Sequence, residues 1–258
     1  MSETPSKALA TKLHPLTVEV LKRLGDQSET EFVIGGGVAL CHYVSPRDTF
    51  DLDGWWKTEE SEATIRKLEV ILNEIAKREK RELRINRFND VISLELLADS
   101  QKKVYSVQVA KRDRYLDSPV LSEWNVPIET LRDNIGSKMK ALINRGTPRD
   151  FLDIYKICTE GKATAQECWD IASQVISPWA AAMANESNTK ERIQQGKAEV
   201  AHHLLQIETR KPLPPEMANE SDQIKNARSL RNWFKTHFLT KDPDPPRAHN
   251  QPEPGMGV

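Results

Sequence analysis

Three consecutive glycines, Gly35-Gly36-Gly37, stand between a short apolar run and a short helical pattern, and they constrain this chain more than any other feature. Glu31-Phe32-Val33-Ile34 before them reads as a buried strand, and Val38 to Tyr43 after them reads as a helix. Glycines at such a junction admit positive φ and let the backbone approach a ligand closely. A helix starting at Val38 is expected to aim free N–H groups at that ligand, an arrangement that favours phosphate. Pro46 breaks the helix, and Thr49-Phe50-Asp51-Leu52-Asp53 reads as a second strand. Two residues apart on a strand, Asp51 and Asp53 project from one face. Paired carboxylates of this kind can hold magnesium, and magnesium supports phosphoryl transfer.

Other glycine-loop chemistries fit poorly. There is no GxxxxGK[ST] run, which excludes a P-loop nucleotide triphosphatase. Position 40 is leucine where a dinucleotide fingerprint needs its third glycine, and no alternating βαβ pattern follows.

The rest of the chain frames this motif. A helix is expected over 7–24, closed by Gly25, and another over 61–80, with Ile65, Leu68, Leu72 and Ile75 on one face. Strands are expected near 90–98 and 103–110. From residue 128 onward the pattern is helical, and Thr147-Pro148-Arg149-Asp150 reads as a helix start with a capping box. Two or three more helices are expected between 164 and 238. The fold class is therefore α+β: a mixed-sheet α/β domain over 1–125, an α-helical domain over 126–240, and a disordered Pro-rich tail over 241–258.

Composition bounds the environment. Cys41, Cys158 and Cys168 are too few and too scattered for a disulfide framework or a CxxC zinc site. No signal-like apolar run opens the sequence and no stretch is apolar enough to span a membrane, so a soluble cytoplasmic protein is expected. With 37 basic and 38 acidic residues the net charge is -1, which argues against a generally cationic surface. The average hides unlike parts: residues 77–149 hold 16 basic and 10 acidic side chains. Six of those bases lie in the run Lys77 to Arg87, read either as a local nucleic-acid contact or as a solvated basic helix face.

A second constellation lies in the helical half. Lys138 and Arg145 are spaced to share a helix face, and a lysine with an arginine there can hold a triphosphate. Asp150 and Asp153 share a face of the next helix. Plain structural readings compete: a capping role for Asp150, a solvated stripe for Lys138 and Arg145, and an ion pair with Arg149 for Asp153.

Taken in order, IGGGVALCHYVSPRDTFDLD (34–53) and KMKALINRGTPRDFLDIYKI (138–157) resemble the AbiEii/AbiGii toxin family, nucleotidyltransferase-like proteins of the DNA polymerase β superfamily. The resemblance implies a nucleotidyltransferase-like fold and residue roles to match. Gly36 and Gly37 are expected at the triphosphate, Asp51 and Asp53 at Mg2+, and Lys138 and Arg145 at the nucleotide. Asp153, or else Asp150, is expected beside Lys138, and Arg47 is expected to position the loop before the paired aspartates. The implied activity transfers NMP from an NTP to an acceptor hydroxyl, plausibly on tRNA, by the toxin of a toxin–antitoxin or phage-defence pair. A third carboxylate is expected on a later strand. Glu95 is one candidate, whereas Gln108 offers no base. If Gln108 holds that slot, a catalytically impaired nucleotide- or partner-binding module becomes the alternative, and an enzyme that modifies a protein hydroxyl is another. Trp55-Trp56 read mainly as core, and His42 as a structural histidine.

Overall fold

The structure, a computed structural model, describes residues 13–26, 30–44, 49, 51–112, 114–175, 186–209 and 220–240. The expected helical residues 7–12, Arg47 and the Pro-rich tail 241–258 lie outside the described residues.

Helix α1 (Pro15–Gly25) starts with proline in its first turn and buries Leu16, Val20, Leu21 and Leu24 along one stripe. Strand β1 (Phe32–Ile34) leads directly into α2 (Gly36–Tyr43), which begins two residues earlier than its apolar pattern indicates, with Gly35 as cap. Strand β2 (Asp51–Trp56) alternates half-buried and buried positions. Helix α3 (Glu62–Glu79) is capped by Ser61, which accepts from Thr64 N at 3.2 Å, and it ends on Lys80 in the left-handed region at φ 52°. Three strands follow: β3 (Glu82–Phe88), β4 (Val91–Leu97) and β5 (Lys103–Ala110). Short strands β6 (Val120–Leu121) and β7 (Pro127–Ile128) close the sheet.

The seven strands run in the order β3-β4-β5-β2-β1-β7-β6. β2 pairs β5 in parallel and β1 pairs β7 in parallel, while the other pairings are antiparallel, so the sheet is mixed. Its inner face (Leu52, Trp56, Leu94, Val107, Val109) forms one core with the apolar stripes of α1 and α3. By strand alternation the opposite face carries Asp51, Asp53, Trp55, Ser106, Gln108, Ser93 and Glu95.

Helices α4 (Leu131–Asn144), α5 (Pro148–Thr159), α6 (Ala165–Val175), α7 (Glu186–Thr209) and α8 (Glu220–Trp233) build a second core, finished by a π-helical turn (Phe234–Phe238). At its centre Trp169 is 1% exposed and donates Nε1–H to the Phe238 carbonyl at 3.0 Å. Helix α2 joins the two cores: Val38, Ala39 and Cys41 belong to the first, Leu40 and Val44 to the second.

The basic run 77–87 is not a helix face throughout. It spans the end of α3 and the edge strand β3, and three of its arginines are ion-paired locally: Arg78 with Glu19 at 2.8 Å, Arg84 with Glu95 at 2.7 Å, and Arg87 with Glu60 and Glu62. Three of the six bases of the run are thus held by carboxylates, while Lys77, Lys80 and Arg81 stand outside these pairs.

Candidate active site

Two rows of side chains cross the open face of the sheet. In one, Asp51 lies beside Ser106, then Glu95, then Arg84. In the other, Asp53 lies beside Gln108, then Ser93, then Asn86. Asp51 accepts from Ser106 Oγ at 2.7 Å and has the Lys103 ammonium at 3.6 Å. Gln108 therefore occupies the strand position next to Asp53. Glu95 stands two strands from Asp51, about 10 Å away by strand spacing, and its Oε2 is occupied by Arg84 Nε at 3.0 Å and Asn86 at 3.2 Å. Glu95, the candidate third carboxylate, is therefore ion-paired within the sheet.

The glycine turn is wedged against Asp53. Gly36 has φ +59°, and a Cβ on it would lie 2.3 Å from Asp53 Oδ2. Gly35 N–H donates to the Asp53 carbonyl at 2.9 Å. Only glycine satisfies both the left-handed backbone and the close approach. Gly36 N–H does not point freely at a ligand, however. It donates to Glu129 Oε1 at 3.0 Å, and the Gly36 carbonyl accepts from Asn134 Nδ2 at 2.9 Å.

Glu129 escaped the sequence reading. It is fully buried, and its carboxylate also accepts from Trp55 Nε1 at 2.9 Å, Asn134 Nδ2 at 2.7 Å, and Arg112 Nη1. Burial pushes its carboxyl above the usual range, while Arg112, Asn134 and Trp55 pull the other way. Four donors converge on it, and we regard it as ionised because a carboxylic acid would present a proton to a site made only of donors. Arg112 continues to Asp133 Oδ1 at 2.9 Å and lies over the Trp55 ring, 5.3 Å from its centroid. The Tyr43 hydroxyl donates to the Glu129 carbonyl at 2.8 Å and is pushed up to about 12, first by its own burial and then by Glu129 and Asp133. A lone acid between Val126, Ile128 and the start of a helical pattern was the one sequence signal for this residue.

Helices α4 and α5 form the facing wall. Lys138, 8% exposed, pairs with the 1% exposed Asp153 at 2.8 Å. Arg145 pairs with Asp150 at 2.9 Å, which holds the guanidinium above its usual range, with Asp53 and Asp153 adding in the same direction. Asp150 also completes the capping box with Thr147, as its plain reading required. A cleft of about 490 Å³ separates this wall from the sheet, lined by Gly36, Asp53 and Gln108 on one side and by Lys138, Lys140 and Arg145 on the other, with Lys111 at its side. That volume suits a small-molecule ligand.

The structure thus gathers Gly36, Asp53, Lys138 and Arg145 around one cleft, with Asp51 on the same strand as Asp53 and Asp153 paired to Lys138. Trp55 lines the cleft whereas Trp56 is 2% exposed in the core, so the two tryptophans part company. The donor set fits a hard cation. Asp51 and Asp53 offer two carboxylates, Ser106 and Gln108 neutral oxygens, and Mg2+ takes one or two carboxylates and completes its shell with water and phosphate. Among the described residues no cluster of three or more His, Cys, Asp or Glu forms a denser site.

A mixed sheet with paired aspartates beside a glycine turn, roofed by a helical half that supplies a lysine–aspartate pair, defines a protein of nucleotidyltransferase type. Residues 19–244 match the family described as nucleotidyl transferase AbiEii toxin, type IV toxin–antitoxin system, and the chain belongs to that family. Among solved structures it resembles JHP933 from Helicobacter pylori, at 14% identity and TM-score 0.51, over 90% of this chain and 93% of that one. It also resembles an H. pylori protein assigned as a nucleotidyltransferase, at 16% identity and TM-score 0.52, over 91% and 96% of the two chains. A search of curated protein sequences gave no match. No helix among the described residues is long and apolar enough to cross a membrane.

Proposed function

We propose that this toxin transfers NMP from an NTP to a hydroxyl of an RNA acceptor, tRNA being the first to try, and releases pyrophosphate. One observation carries the reading: Asp53, with Asp51 two residues before it on the same face of β2, lines a 490 Å³ cleft whose opposite wall is cationic. Asp51 and Asp53 would hold Mg2+, which supplies charge neutralisation for the phosphates when bound. Lys138 is fixed by Asp153 and presents its charge from the wall. Lys111 and Lys140, which have no ion pair among the described residues, are suited to the β- and γ-phosphates. The acceptor oxygen attacks the α-phosphorus, the bond to the bridging oxygen breaks, and the hydroxyl proton falls to Asp53, since Gln108 is not basic and Glu95 is bonded to Arg84. A cognate antitoxin is the partner that the family implies.

The test incubates purified protein with each radiolabelled NTP, Mg2+ and total tRNA. Label should pass from at least one NTP to tRNA, and Asp51→Ala and Asp53→Ala should abolish it without loss of fold. Absence of transfer from all four removes the tRNA reading; mass gain on a protein in cell extract would redirect it to a protein hydroxyl. The alternative of a binding module rests on Gln108 beside Asp53. Calorimetry that detects NTP binding in a protein without turnover on either polymer would favour it.

A further inference from the structure

We propose that Glu129 is a positioning residue for nucleotidyl transfer: it locks the glycine turn against Asp53 and thereby sets the direction of that carboxylate. This rests on the reading of Asp53 as part of the transfer site. Glu129 touches neither the expected NTP nor the metal, and it acts through its neighbours. One oxygen holds the Gly36 N–H at 3.0 Å; the other holds Trp55 Nε1 at 2.9 Å, two residues beyond Asp53 on the same strand. Asn134 closes the circuit, donating both to Glu129 Oε1 and to the Gly36 carbonyl. Both polar groups of the Gly36 backbone are therefore tied to the segment that opens α4, while its Cα side rests on the Asp53 carboxylate. The Glu129 backbone is pinned as well, with its N–H donating to the Ile34 carbonyl at 2.9 Å at the end of β1.

A buried carboxylate with four donors is expensive to maintain for packing alone, since an apolar residue of similar volume serves a core as well. What the carboxylate adds is direction. It fixes a left-handed glycine on one side of Asp53 and an indole on the other, and it connects both to Arg112 in the cleft wall. Loss of that lock loosens the wall against which the Asp53 carboxylate rests, which lowers the rate of the bound complex more than its formation.

Glu129→Gln keeps size but places an amide among four donors; Asn134→Ala leaves the Glu129–Arg112 pair and the Gly36 N–H bond to Glu129 intact and removes the amide that ties the Gly36 carbonyl to Glu129 Oε1. Both variants are to be measured for melting temperature, for kcat and KM with the preferred NTP, and for Mn2+ affinity by calorimetry. The expected result is a fall in kcat of tenfold or more, KM for NTP within threefold of wild type, and Mn2+ binding weakened at least threefold. Gly36 amide exchange, read by NMR, should quicken tenfold or more relative to Val33. A folded Glu129→Gln with wild-type kcat and Mn2+ affinity overturns the assignment. Should that variant not fold, Asn134→Ala decides alone: unchanged kcat and Gly36 exchange overturn it. Inactive wild-type protein sinks the transfer reading and the assignment together, whereas active wild type with equally active variants sinks the assignment alone.

Discussion

At Gly36 a single missing methyl group sets the geometry of the site. Alanine there must hold φ +59° and meet Asp53 Oδ2 at 2.3 Å, so Gly36→Ala should destabilise the fold by about 1–3 kcal/mol and reduce transfer at least tenfold. Denaturant titration and a single-turnover assay check the two effects separately. A pH effect belongs to His42 nearby. Its half-buried ring has an Nδ1 with no hydrogen-bond partner among the described residues, and burial holds its pKa below the ordinary 6.5. The unfolded chain then takes up a proton at higher pH than the folded one. Stability is full above 6.5 and declines as pH falls from there toward the folded value. Melting scans at pH 7.5 and 5.5 should show that His42→Gln loses less stability on acidification than wild type. Asp51, Asp53, Lys138, Arg145 and the Asp150 cap were legible because residue type and short spacing define them. Glu129, Arg112 and Lys103 were not, since each works through partners that only the fold brings near: Glu129 binds Gly36 and Trp55 across the sheet edge.

Between α4 and α5 the Lys138–Asp153 pair is almost wholly withdrawn from water. Lys138→Met removes this pair from the buried Asp153 and should cost about 3–5 kcal/mol. The double variant Lys138→Met, Asp153→Leu should regain most of that stability and remain inactive, as urea titration and the tRNA assay would reveal. If the double variant were active, the pair would be structural only. The helices here were legible from apolar period and caps: Thr147, Pro148 and Asp150 mark the start of α5, as found. Strand β3 was not. As an edge strand with Glu82 and Arg84 on one side of its chain and Arg87 on the other, it exposes most of its positions and shows no buried alternation, so its charges masked the strand. Strands β6 and β7 have two residues each, too few to carry a period.

For the whole molecule, α2 carries consequences beyond its eight residues. Leu40 is fully buried in the helical core while its neighbours Ala39 and Cys41 belong to the sheet core. Leu40→Ala should cost about 2–5 kcal/mol, and because the helix serves both cores, tryptophan fluorescence and far-ultraviolet circular dichroism should shift to lower denaturant together. A shift in one signal alone would show that the halves unfold independently. Charge at this scale was the least legible property. Half of the basic stretch found by counting residues, Arg78, Arg84 and Arg87, is taken up in ion pairs once Glu19, Glu60, Glu62 and Glu95 fold against it.

Trp55 offers something practical. It is one of six tryptophans, yet its indole is clamped by Glu129 beneath the Arg112 guanidinium on the wall of the cleft. Any ligand that enters must change the polarity around that ring. The difference in emission between wild type and Trp55→Phe is therefore a built-in occupancy gauge, able to rank the four NTPs without a label, an acceptor or a single turnover.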